Sequence, residues 1–232
     1  MADRGAVAAA AAPHRGRQRL ALFDLDNTLI DRDGAFRRWA VELVAAHGGG
    51  ADELQWVLEL DAGGFRPREI LFPALFERFG VDEPLERFWK RYYVRMAELV
   101  SVRPEVLAAL DRLRAGGWRL GIVTNGAPRG QLAKVEAVGL LDHVDACVVS
   151  GAEGFHKPDV RLFEIAAQRC GVSLVDGGWM TGDSRLADIG GGHRAGLSTI
   201  WVRSGSPPAG VEPTHAVDDV LAAFEILGRV EA

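Results

Sequence analysis

Two aspartates separated by one residue, Asp24 and Asp26, close an uninterrupted apolar run, Leu20-Ala21-Leu22-Phe23. If strand geometry continues through them, both carboxylates point to the same side. Two carboxylates that close repel each other, which raises the pKa of one unless a cation neutralises the pair. That arrangement suits one ionised nucleophile and one proton carrier. The same residues also suit a turn that caps a helix, and the pair alone does not decide between the two. Gly182-Asp183-Ser184-Arg185-Leu186-Ala187-Asp188 adds two more carboxylates after another apolar run. Magnesium takes oxygen ligands and keeps several waters, so two or three carboxylates are enough to hold it; Asp183 or Ser184 would equally serve as an N-cap. Thr124-Asn125-Gly126 offers a hydroxyl and a flexible backbone, donors for an anion at a helix start or simply a turn. Of the 27 lysines and arginines only Lys90, Lys134 and Lys157 are lysine. In a chain so weighted toward arginine, Lys157 in a strand-end loop suggests a need for a compact point charge. Pro158 after it favours an extended backbone at the lysine.

The elements that would position these groups are legible in outline. Leu20–Phe23 is apolar on both faces, as suits the centre of a parallel sheet covered by helices. Similar runs occur at 120–123, 146–149, 179–181 and 199–202, with a weaker one at 215–217. Helical patterns lie between them at 104–114, 131–138, 160–169 and 188–195, the last weakened by three consecutive glycines. Alternation of this kind implies a doubly wound α/β domain, in which ligands bind beyond the carboxyl ends of the strands. Asp24, Thr124, Lys157 and Asp183 all fall at that edge. Between the first and second strands a single helix would suffice, yet residues 32–101 intervene, rich in helix formers and aromatics. They read as an inserted helical subdomain, leaving 19–31 and 102–232 as the core and 1–18 as a disordered tail.

Composition narrows the function. Hydrophobic residues at 48% and charged residues at 25% allow a proper core. A net charge of -5 argues against a broad nucleic-acid-binding surface, which needs clustered Lys and Arg. No apolar run is long enough to span a bilayer, so no membrane partner is expected. In the first residues most of the positive charge follows weakly apolar alanines, the reverse of a signal peptide. Cys147 and Cys170 have no metal-ligand spacing and read as reduced core residues, consistent with a cytoplasmic setting. Whether the chain is a monomer or a homodimer is left open.

Together and in this order the motifs resemble the haloacid dehalogenase superfamily. Asp24-Leu25-Asp26-Asn27-Thr28-Leu29 is similar to its first motif, Thr124-Asn125-Gly126 to its second, His156-Lys157-Pro158-Asp159 to its third, and Gly182-Asp183 through Asp188 to its fourth. The resemblance runs from about Arg19 to Asp218, with the helical insert at the position of the family's C1-type cap. It implies a Rossmann-like core and a magnesium-dependent phosphatase in which Asp24 attacks phosphorus and Asp26 serves as general acid and base. Thr124, Asn125 and Lys157 would hold the phosphoryl oxygens. Asp24, the main-chain carbonyl of Asp26 and Asp183 would hold the metal, with Asp188 in support.

Within the family, Asp26 favours a phosphoryl substrate, because expelling halide needs no proton donor. The substrate is expected to be a small phosphate monoester: a sugar phosphate, an acyl-sugar phosphate or a nucleotide. A phosphosugar mutase on the same core is the main alternative, followed by a 2-haloacid dehalogenase and a non-catalytic binding protein, which would be expected to lack at least one motif residue. A phosphonate hydrolase would need a cap lysine for a Schiff base, and Lys90 is the only lysine in the insert. Specificity should reside in the insert. Phe88, Trp89, Tyr92 and Tyr93 are candidates for its pocket, and Arg66, Arg68, Arg87 and Arg91 for meeting a second anionic group. Both sets also fit plain packing and solvated helix faces.

Overall fold

The computed structural model describes residues 19–203 and 211–230, so the tail expected at 1–18 lies outside the described residues. Six parallel strands form one sheet in the order β3-β2-β1-β4-β5-β6: β1 (Arg19–Phe23), β2 (Trp118–Thr124), β3 (Ala146–Val149), β4 (Trp179–Gly182), β5 (Ser198–Val202) and β6 (His215–Val217). β1 is central, and its alternation explains why its sequence is apolar throughout. Ala21 and Phe23 join one buried cluster with Leu110, Phe224 and Leu227. Leu20 and Leu22 join another with Leu162, Phe163 and Ala166. The first cluster receives helices α5 (Pro104–Ala115) and α10 (Val220–Arg229), and the second receives α8 (Val160–Arg169).

The winding reverses between β1 and β4, the place where an open parallel sheet leaves a crevice at its carboxyl edge. Register sets the strand ends nearly level there. Phe23 pairs with Ile122 on one side and Thr181 on the other, and the Asp24 N–H donates to the Thr181 carbonyl at 2.9 Å.

Four helices stand between β1 and α5: α1 (Arg32–Ala46), α2 (Ala51–Asp61), α3 (Arg68–Phe79) and α4 (Leu85–Leu99). Their shared interior is aromatic. Phe72 meets Phe88, Trp89 and Tyr92 edge-on, with ring centroids 5.0–5.1 Å apart. Such pairs add about 0.5–1.5 kcal/mol each beyond the area they bury. This interior is continuous with the cluster under the sheet through Phe36, Val100 and Val106.

The remaining helices follow the expected strands with shifted limits. α6 begins at Pro128, three residues before the expected start, and runs to Ala137; proline at the first helical turn costs no hydrogen bond. α7 (Ser150–Glu153) is a single turn after β3. The helix expected over 188–195 is divided into a π-type turn, Arg185–Ile189, and a short α9, Gly190–Arg194. The glycines there serve packing: a Cβ on Gly191 would lie 2.7 Å from Phe163, and one on Gly192 2.9 Å from Met180.

Among the described residues no helix is long and apolar enough to cross a membrane.

Candidate active site

Asp24 follows β1 directly and is buried. The chain then turns back on itself, with the Thr28, Leu29 and Ile30 N–H groups all converging on the Leu25 carbonyl. Leu25 and Leu29 fill the core beneath this loop. Asn27 takes a left-handed conformation, φ 58°, which asparagine tolerates better than most residues, and its side-chain oxygen accepts the Asp33 N–H at 3.0 Å. The strand ends at Phe23, and both aspartates line the cavity beyond it. Each has its own lysine.

Lys157 serves Asp24. Its ammonium donates to Asp24 Oδ1, Asp188 Oδ1 and the Val123 carbonyl, each at 2.6 Å, and so fills its three donor positions. Burial alone would lower its pKa, but Asp188 and Asp24 together hold it above the ordinary lysine value. The lysine loop is fixed by Asn125, whose side-chain amide donates to the Lys157 carbonyl (3.0 Å) and whose oxygen accepts the Lys157 N–H (2.8 Å). The Asn125 side chain, expected to face phosphate, thus commits its oxygen and one amide hydrogen to holding Lys157. Asp188 also accepts the Ser184 N–H at 2.9 Å, while the Ser184 hydroxyl accepts the Ala187 N–H at 3.2 Å, which makes Ser184 the cap of that turn. Gly182 makes room for this: a Cβ there would sit 2.3 Å from Asp188 Oδ2.

Asp24, Asp183 and Asp188 each place a carboxylate oxygen within 4.8 Å of the others, and all three are buried. The Asp24 carboxyl is pushed well above its usual range. Burial is the main cause, opposed by Lys157 and reinforced by the Asp188 and Asp183 charges. The carboxylates that crowd Asp24 thus include two from the loop after β4. An all-oxygen donor set that remains crowded with negative charge after one lysine has been supplied fits a hard divalent cation such as magnesium.

Asp26 is met from α6, by residues that sequence reasoning did not single out. The Lys134 ammonium lies 2.5 and 2.6 Å from its two oxygens, and Gln131 Nε2 lies 3.0 Å from Oδ2. Burial would raise the Asp26 carboxyl, but Lys134 outweighs it and holds the group below the usual carboxylate range. The same Gln131 nitrogen reaches the Thr124 hydroxyl at 2.5 Å and the Asn125 carbonyl at 3.1 Å, tying Asp26 to the end of β2. The scarcity of lysine pointed to Lys134 as much as to Lys157, but a lysine in the body of a helix carries no positional signal of its own.

These groups line a cavity of about 620 Å³ that the helical insertion partly walls. Of the insertion residues named from sequence, Trp89, Tyr92, Tyr93, Arg66 and Arg68 are on its wall. Phe88 is buried in the aromatic interior, and Arg87 and Arg91 pair with Glu83 on the surface. Lys90 bonds Glu86 at 2.6 Å and lies off this wall, so the one candidate for a Schiff-base lysine is not in the cavity. His156 lines the cavity beside Lys157.

Buried aspartates and a lysine are thus gathered at the switch point of a parallel α/β sheet, where open sheets of this kind bind ligands. Over residues 18–196 the chain matches the family described as haloacid dehalogenase-like hydrolase, and it belongs to that family. Among curated relatives it is 33% identical over 165 residues to a phosphoserine phosphatase of Thermus thermophilus, covering 70% of this chain and 65% of the relative. It is 34% identical over 134 residues to the pyrimidine 5'-nucleotidase YjjG of Escherichia coli, covering 57% of this chain and 59% of that one. These two alignments therefore span less than two thirds of the relatives they match. With a glyceraldehyde 3-phosphate phosphatase of Methanopyrus kandleri it shares 32% identity over 219 residues, 88% of this chain and 91% of the relative. In structure it is similar to the HAD hydrolase YfnB of Bacillus subtilis, solved with magnesium bound, with a TM-score of 0.71 and 25% identity, covering 92% of this chain and all of the other.

Proposed function

We propose that the protein is a magnesium-dependent phosphatase acting on small phosphate monoesters, with Asp24 as nucleophile and Asp26 as general acid and base. The observation that carries this reading is the division of labour between the two aspartates, each with its own buried lysine. Lys157 lies against Asp24 at the point where a phosphoryl group would meet the nucleophile, and Thr124 offers a hydroxyl at the same edge. The named relatives, all phosphatases or a nucleotidase, support the same class of reaction.

A carboxylate oxygen of Asp24 attacks phosphorus, and the ester oxygen departs with the proton of Asp26, leaving a phosphoryl group on Asp24. Asp26, now ionised, takes a proton from water as that water attacks the same phosphorus, which releases phosphate and restores Asp24. Lys134 favours the ionised form of Asp26, the form suited to the water step. The leaving-group step requires that contact to loosen as substrate enters. Lys157 and Thr124 offset and orient the charge on the phosphoryl oxygens. Asp24, the main-chain carbonyl of Asp26 and Asp183 would hold magnesium, with Asp188 positioning Lys157 behind them. The ion would supply further neutralisation of negative charge around the phosphoryl group. Residues 32–101 act as a cap that shields the cavity from bulk water, over a core formed by 19–31 and 102–232.

The test is phosphate release from a panel of sugar phosphates, nucleotides and an aryl phosphate, with magnesium and with chelator. The reading expects release that depends on magnesium. A folded, magnesium-loaded protein that releases phosphate from none of them would overturn it.

A further inference from the structure

The cavity wall contributed by the insertion differs in charge from the wall around Asp24. Asp61, at the end of α2, is buried and accepts four hydrogen bonds: two from Arg32 (2.5 and 2.7 Å), one from Arg68 (2.8 Å) and one from the Gly64 N–H (2.8 Å). One carboxylate thus holds two guanidinium groups, and its acceptor sites are filled. In these bonds Arg68 donates through Nη1 alone, and neighbouring Arg66 donates through Nε to the Leu60 carbonyl. Arg68 is further held with its guanidinium over the Tyr92 ring, 5.4 Å from the centroid.

On the wall contributed by the insertion the cations are Arg32, Arg66 and Arg68 and the carboxylate is Glu69, with Asp61 buried behind Arg32 and Arg68. Counting Asp61, one positive charge is in excess. Asp33, which also accepts from Arg32, is 56% exposed and off the wall. The same wall also carries Trp89, Tyr92 and Tyr93.

We infer that the Arg66–Arg68 region is a carboxylate subsite, so that the preferred substrates are small phosphate monoesters carrying a carboxylate at the end remote from the phosphate. The inference rests on the phosphatase reading above and names the substrate class for the same cavity. A carboxylate matches an excess of one charge, whereas a second phosphate would bring more negative charge than the wall offsets. The planar fork of arginine also matches carboxylate geometry bidentately.

Two probes isolate the group. 3-Phosphoglycerate and glycerol 3-phosphate share a three-carbon phosphate ester and differ in having a carboxylate or a hydroxymethyl group at the far end. Their affinities are measured by calorimetry on magnesium-loaded Asp24→Asn, where turnover does not interfere. The expected preference for 3-phosphoglycerate is about 10- to 100-fold, the size of a charge-assisted hydrogen bond in a partly desolvated site. Arg68→Gln and Arg66→Gln, introduced separately and checked for folding by their melting transitions, should each bring the ratio toward unity, and Arg68→Lys should retain part of it. Equal affinities in the parent, or a ratio unchanged in whichever glutamine variant folds, would overturn the subsite. Failure of the wild-type enzyme to release phosphate from any ester would overturn the catalytic reading instead, and the affinity ratio would still judge the subsite.

Discussion

Replacing Lys134 by methionine keeps the apolar stem of the side chain and removes only the ammonium that faces Asp26. Lys134 is 6% exposed, and its nitrogen lies 2.5 and 2.6 Å from the two Asp26 oxygens. Breaking a fully buried ion pair costs about 3–5 kcal/mol, and an exposed pair is worth about 1 kcal/mol or less. The Asp26 side chain is 27% exposed and keeps the Gln131 amide, so its orphaned carboxylate stays partly hydrated. Burial also lowers the pKa of the Lys134 ammonium despite Asp26, a cost that methionine removes, so the expected loss falls in the lower part of that range, about 1–2 kcal/mol. Burial raises the Asp26 carboxyl, but Lys134 prevails and depresses it. A depressed carboxyl contributes stability that is present above the unfolded carboxylate range and is lost as pH falls through the folded value. The deficit of Lys134→Met should accordingly be full near neutral pH and close as the solution is acidified below that range. Urea unfolding of both proteins across that interval measures it, and the limb of the pH–rate profile that follows Asp26 should move to higher pH in the variant. Equal stability at neutral pH together with an unmoved profile would refute the reasoning.

Two further perturbations address the supports of the site. Asp61→Asn leaves the buried Arg32 guanidinium with only the exposed Asp33 as counter-charge and should cost about 2–4 kcal/mol in chemical unfolding at neutral pH. Burial of Asp61 is outweighed by Arg32 and Arg68, which hold its carboxyl below the usual range, so this deficit too should shrink on acidification. Gly182→Ala drives a methyl group to 2.3 Å from Asp188 Oδ2 and must displace one of the two carboxylates that hold Lys157. It should lower stability by about 1–3 kcal/mol and turnover by about tenfold or more, read from a melting curve and from phosphate release at saturating magnesium.

The strand ends were readable from sequence because the fold and the chemistry leave the same mark there. In a sheet buried on both faces each strand is an apolar run, and the first polar residue after it, Asp24 or Asp183, falls at the carboxyl edge where ligands bind. Thr124, the last residue of β2, ends its own run in the same way. Lys157 was legible because a rare residue type stood in a loop. Lys134 and Gln131 were not. They lie three residues apart on one face of α6, a spacing that reads as an ordinary helix surface until Asp26 is seen beside it. Asp26 was read only against Asp24, because nothing in the sequence around it points to partners on α6. The glycines of α9 weakened a helix assignment although they permit close packing on Phe163 and Met180, a tertiary requirement that helix propensity does not contain. The Arg32–Asp61–Arg68 cluster joins residues from three helices and has no local pattern at all.

The claim on which the account turns is that Asp24 carries the phosphoryl group. Wild-type protein is mixed with magnesium and a hydrolysed ester, quenched in acid within the first turnover, digested and weighed by mass spectrometry. The account predicts one added phosphoryl group on the peptide containing Asp24, absent from Asp24→Asn, which should release no phosphate. Phosphate release with no label on that peptide and with undiminished turnover by Asp24→Asn would contradict it.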